Sequence, residues 1–136
     1  LTASGGAIDA SGSAALTLSG GITGAFNVTL TGSSTAANTQ SGVIGIGTGA
    51  LTKSGAGSWT LGNAANTYTG ATSITGGTLS VGTIANGGTN SSLGATAAAT
   101  AIALSGGGVL SYTGGTGSMD RQFSTSGTGG TIQATA

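Results

Sequence analysis

Cysteine, proline and histidine are missing from this chain of 136 residues, and only Asp9, Lys53, Asp120 and Arg121 carry charge. Each absence excludes something. Without histidine, a Ser-His-Asp triad cannot be assembled. Without cysteine there are no disulfides, which fits a reducing compartment or a bacterial surface protein that does without them. Two basic residues, balanced by two acidic ones, cannot form the stripe that nucleic acid needs for counterion release. An anionic membrane surface is unattractive for the same reason. The longest apolar tract, ATAAATAIAL at 95–104, is too short to cross a bilayer, so this segment is not expected to insert. An initiator Met and a signal peptide are also missing, and the chain is expected to be a processed product or a piece of something longer.

What is present is glycine, 30 residues of it, and a hydrophobic fraction of 37% that recurs with a period. Disordered chains combine low hydrophobicity with high net charge, and this chain has neither. Period two predicts strands at 7–11, 15–19, 25–31, 43–47, 50–54, 58–62, 72–75, 78–82, 101–105, 109–113, 121–125 and 131–135. Apolar side chains share one parity: Leu16 and Leu18; Phe26, Val28 and Leu30; Trp59 and Leu61; Leu79 and Val81; Ile102 and Leu104; Leu110 and Tyr112. Thr and Ser occupy the other parity, so each strand buries one face and wets the other. Gly, Gly-Gly, Ser-Gly and Asn break the strands where the chain must turn. The Ala-rich run 95–101 is the one candidate for a helical turn, weakened by its Thr residues and Gly94.

Short strands with frequent turns fit a sandwich, a barrel or a solenoid. Large side chains are too sparse for a thick sandwich core, and the one Asn-Gly pair, Asn86-Gly87, is a thin basis for hairpins. A solenoid needs only a thin slice of core per coil. The expected fold is therefore all-β, a parallel β-solenoid of about five or six coils with uncapped ends, at roughly 20–25 residues per coil. GGAIDAS (5–11) resembles GGTIQAT (129–135), and LTASG (1–5) resembles FSTSG (123–127), displacements of 124 and 122 positions. Residues 1–136 thus read as a single unit, one repeat of a longer array or filament.

The stretch 49–82 carries a motif: LTKSGAGSWTL (51–61), NTYTGAT (66–72) and GGTLSVG (76–82). In order and spacing it resembles the autotransporter-associated β-strand repeat, also called the passenger-associated transport repeat. The tract 91–115, followed by DRQF (120–123), resembles the segments that link such units in long bacterial surface proteins. GGAIDASGSAALTLSG (5–20) resembles the tract that follows a DRQF-like element there. The resemblance implies a right-handed parallel β-helix, exported and displayed at a Gram-negative-type surface.

Candidates for chemistry are few. Glycoside chemistry on a β-helix needs paired carboxylates, and Asp9 and Asp120 lie more than a hundred positions apart. Asp9 alternates with Ile8 and is expected to face water; Asp120-Arg121 reads as a solvated turn. Calcium β-rolls repeat Gly-Gly-x-Gly-x-Asp, a spacing absent here. GIGTG (45–49) lacks the Gly-Lys-Ser/Thr of a phosphate loop. Trp59, Tyr68 and Tyr112 are the aromatics that could meet a glycan; parity places Trp59 in the core and Tyr112 beside Leu110, and the family resemblance implies that Tyr68, in its NTYTG turn, is a structural corner. Thr-x-Thr rows of an ice-binding kind occur only at 29–31 and 67–69, without steady spacing. The expectation is no enzyme, no catalytic, cofactor or metal residues, and no nucleic-acid partner. The expected partners are identical units or adjacent repeats, end to end. The leading function is a structural repeat of an extracellular or cell-surface fibre. The alternative is a spacer in an autotransporter-type adhesin that binds glycans or host matrix.

Overall fold

A computed structural model describes residues 4–135, and every described element is a strand or a turn. The Leu1–Ala3 part of the LTASG match lies outside the described residues. The strands are β1 (Gly6–Asp9), β2 (Thr17–Leu18), β3 (Ile22–Thr23), β4 (Val28–Thr31), β5 (Asn38–Gln40), β6 (Ile44–Gly45) and β7 (Leu51–Lys53). They continue as β8 (Ser58–Leu61), β9 (Thr72–Ile74), β10 (Thr78–Val81), β11 (Ile102–Leu104), β12 (Gly108–Tyr112), β13 (Phe123–Thr125) and β14 (Gly130–Ala134).

These strands wind a parallel β-solenoid of about six turns. One face is a six-stranded sheet in the order β1-β4-β7-β9-β11-β13, and the second is a six-stranded sheet in the order β2-β5-β8-β10-β12-β14. The third face starts with the pair β3-β6. It continues through backbone bonds from Thr67 N–H to Ile44 O (3.0 Å) and from Ala95 N–H to Tyr68 O (2.8 Å). Every strand pair in the three sheets is parallel. At about 4.8 Å per coil, the stack advances on the order of 25–30 Å.

The core is a set of columns running along the axis. On the first face Ile8, Leu30, Lys53, Ile74 and Leu104 stand in register. On the second, Leu18, Gln40, Leu61 and Val81 form one column and Asn38, Trp59, Leu79 and Leu110 another. Ile44, Ile46 and Tyr68 fill the third face and are fully buried. Alternation is the cause: odd and even residues of a short strand point to opposite sides, and only one side meets the other faces. At roughly 25 cal/mol per Å² of apolar surface removed from water, each added coil contributes favourably on both of its sides.

The corners set a tight limit. Gly77 has φ of +62°, and a Cβ there would lie 2.2 Å from the Gly57 carbonyl oxygen. Gly32, at φ +117°, would drive a Cβ to 2.2 Å from the Ala10 carbonyl oxygen. Both positions need a left-handed conformation and contact between stacked backbones, which glycine alone supplies without strain.

Several boundaries differ from the sequence expectation. Strands β3 and β5 were not predicted, because Ile22–Thr23 is short and Asn38–Gln40 carries polar residues on its inward face. The tract 25–31 contributes only Val28–Thr31 as strand, and 43–47 only Ile44–Gly45, since corner residues take the rest. The run 95–101 forms turns rather than a helix. Asn86-Gly87 belongs to no hairpin. It sits in a loop that lengthens one coil: Val28 pairs with Leu51, 23 residues on, while Thr78 pairs with Val109, 31 residues on. GGAIDAS enters β1 on the first face and GGTIQAT enters β14 on the second, so the two matching tracts occupy different faces.

Candidate functional site

The chemically distinctive part of the molecule is inside it. A ladder of polar side chains points inward and ties successive coils together. Asn38 Oδ1 accepts from Leu16 N–H of the coil before (3.0 Å), and Asn38 Nδ2 donates to Ser58 O of the coil after (2.9 Å). Asn66 repeats the device on the third face: Oδ1 accepts from Ile44 N–H (2.9 Å), and Nδ2 donates to Ser92 O (2.9 Å). Gln40 Nε2 donates to Gly20 O (2.9 Å) and Gly42 O (3.0 Å). Trp59 Nε1 donates to Thr31 O at 2.9 Å, which satisfies a buried indole N–H. Corner backbone groups lack ladder partners, and a buried unpaired group costs about 1–3 kcal/mol. An amide side chain, with donor and acceptor at one tip, serves two coils at once.

Lys53 is fully buried between Leu30 and Ile74 on the first face. Its Nζ donates to the carbonyls of Ser54 (2.7 Å), Gly55 (3.0 Å) and, one coil on, Gly76 (3.0 Å). Three donors meet three acceptors. Burial lowers its pKa from 10.5 to about 8, because desolvation penalises the ammonium. Between these two values the unfolded chain holds more protons than the folded one, so stability rises with pH across that window. Thermal unfolding of the wild type is expected to shift upward from pH 7.5 to 9.5, by on the order of 2 kcal/mol. In Lys53→Met the slope should be flat; a wild-type slope of zero or of opposite sign would contradict the burial argument.

Arg121 is also buried, at 5% exposure, where a solvated turn was expected. The reason is the coil: Arg121 packs across the preceding turn, and its Nη1 donates to Leu93 O at 2.8 Å. Its pKa is lowered by desolvation, opposed by nearby Tyr68 and Asp120. Asp120 itself is exposed, and its Oδ1 accepts from Gly87 N–H at 2.7 Å, pinning the long loop. Asp9 is exposed on β1 and accepts from the Ser11 hydroxyl. The two aspartates thus lie on the first coil and just before the last strand of the first face, and the structure does not bring them together. Among the described residues no group of three or more His, Asp or Glu side chains is placed to hold a metal ion.

The aromatics divide. Trp59 is buried, as its parity indicates. Tyr68 is fully buried and its hydroxyl pairs with Thr72 at 3.0 Å; burial pushes its pKa up to about 12. Tyr112 is half-buried against the core cluster, so it alone of the two tyrosines reaches the surface. Outside, the hydroxyls fall into columns: Thr29, Thr52 and Ser73 on the first face, and Thr17, Thr39, Thr60 and Ser80 on the second. Unequal coil lengths hide these columns in the linear sequence. The inward lysine and arginine were missed as well: Lys53 was counted only as a charge, and Asp120-Arg121 was read as a solvated turn. The available signal was Lys53 itself, which shares parity with Leu51 in β7.

Comparison with known proteins agrees with the motif. Residues 51–81 match the family model described as the passenger-associated-transport-repeat. The chain is 45% identical over 80 residues to the protein named adhesin BmaC autotransporter from Brucella suis biovar 1 (strain 1330). That match covers 59% of this chain and 2% of the relative. No solved structure matches.

Proposed function

Since the chain carries a passenger-associated transport repeat at residues 51–81, within an all-parallel solenoid, we propose that it is a structural unit of a fibre. In this reading it is a rigid segment of a polypeptide displayed on a Gram-negative-type cell, aligned end to end with neighbouring units. The observation that carries the reading is the interior ladder. The described polar interior groups are spent mainly on bonding one coil to the next, which serves rigidity along an axis. The similarity to an autotransporter passenger supports exposure at the cell surface.

Electron microscopy of the native surface material tests this. Smooth rods advancing about 25–30 Å per unit are expected from the strand spacing; globular particles would overturn it. A second reading makes the segment a spacer within an adhesin, favoured by the similarity to a protein named as an adhesin, with glycans as the expected ligands. Glycan retention lost in Tyr112→Ala would support that reading, whereas Tyr68 is buried and offers no surface.

A further inference from the structure

Of the asparagines in the chain, Asn86 alone is followed by glycine. Asn86-Gly87-Gly88-Thr89 is a tight turn within the long loop: Thr89 N–H donates to Asn86 O at 3.1 Å, and Gly88 takes φ of +82°. Asn86 is exposed, and its side-chain amide makes no hydrogen bond among the described residues. Glycine at 87 is imposed by the fold, because a Cβ there would lie 2.1 Å from the Ala98 backbone nitrogen. The loop therefore keeps, at its surface, the pair in which backbone attack on an asparagine side chain is least hindered.

Such a pair reacts with itself and water. The backbone nitrogen of the glycine attacks the asparagine Cγ, forming an N–Cγ bond and giving up its proton to solvent. The Cγ–Nδ2 bond breaks and ammonia leaves. Water then opens the five-membered succinimide at either carbonyl, leaving aspartate or isoaspartate. The attacking nitrogen must lose its proton and swing over Cγ. In the folded chain that nitrogen is engaged. Gly87 N–H donates to Asp120 Oδ1 at 2.7 Å, a charge-assisted bond to a residue 33 positions away. The carboxylate also disfavours the negative charge that develops on the nitrogen as its proton leaves. The next amide is held too, with Gly88 N–H donating to Thr96 O at 3.0 Å.

We propose that Asn86 is a site of spontaneous deamidation, and that Asp120 holds it shut by occupying the N–H of the attacking nitrogen. This holds whether the unit serves in a fibre or as a spacer. Once the reaction occurs, either product places a new carboxylate next to Gly87. Like-charge repulsion then weakens the Asp120 contact and loosens the loop.

Peptide mapping by mass spectrometry, on the full chain incubated at mildly alkaline pH, tests the guard. The reading is the mass gain of amide-to-acid conversion at residue 86. The folded wild type should convert slowly, and the same chain unfolded in urea should convert faster. Asp120 is exposed, so Asp120→Ala should fold with an unchanged urea midpoint. It should convert faster than the folded wild type by on the order of tenfold, the loss of one charge-assisted hydrogen bond to the attacking nitrogen. Asp120→Asn keeps an accepting oxygen without the charge and should fall between the two. It also serves as the test variant if Asp120→Ala shifts the midpoint. Asn86→Gln should show no conversion at this position on the same timescale. Equal rates in the folded and unfolded wild type would overturn the guard. So would an Asp120→Ala or Asp120→Asn rate equal to or below that of the folded wild type, the latter being the mark of a carboxylate that assists the attack.

Discussion

Trp59→Ala is expected to lower the unfolding free energy by about 4 kcal/mol, a large part of what a domain of this size possesses. Trp59 is the largest fully buried side chain, and it stacks between Asn38 and Leu79 in the second face. Its removal opens a cavity that glycine corners cannot close, because stacked backbones already touch there. The hydrogen bond is the smaller part. The Thr31 carbonyl that accepts from Trp59 also accepts from Ala10 N–H at 3.0 Å, so it keeps a partner. Trp59→Phe should therefore cost much less, about 1–2 kcal/mol. Urea denaturation of both variants provides the measurement. Equal losses would mean that the hydrogen bond, not the volume, dominates.

Asn66→Leu is expected to cost about 3 kcal/mol although it keeps the branched shape and adds apolar surface. Asn66 is 1% exposed and sits in the NTYTG part of the repeat motif. It bonds Ile44 N–H at 2.9 Å, Ser92 O at 2.9 Å and Asn63 O at 3.3 Å, thereby touching three successive coils. Leucine leaves those buried backbone groups without their partner. Asn63→Ala is the comparison: Asn63 also reaches the coil before, through Ser41 O at 3.0 Å, but it is half exposed and water replaces it. Its cost should stay below about 1 kcal/mol. Hydrogen exchange at the Ile44 amide should quicken in Asn66→Leu and not in Asn63→Ala. A neutral Asn66→Leu would show that the amide is dispensable to the coil.

Much of the fold was legible. The parity of Trp59 and Leu61, and of Leu79 and Val81, assigned inward faces that the structure keeps. The motif at 49–82 and the thin distribution of large side chains pointed to a solenoid over a sandwich. Less of the interior chemistry was legible. Lys53 and Arg121 look like surface charges in a linear reading, yet both are buried with backbone carbonyls as acceptors. Those carbonyls belong in part to other coils, at positions 23 and 28 residues away. A local pattern of period two carries no information about a partner at such a distance.

The sequence by itself determined which side of most strands is apolar, where the chain must turn, and that a chain without histidine cannot assemble a Ser-His-Asp triad. Those properties are local: they follow from side-chain alternation, from backbone freedom at glycine and from composition. Only the tertiary structure decided which coil each residue meets, because coil length varies from 20 residues between Ser58 and Thr78 to 31 between Thr78 and Val109. Register along the axis depends on that varying length. Register is what aligns Asn38, Asn66 and Lys53 with the carbonyls of the next coil.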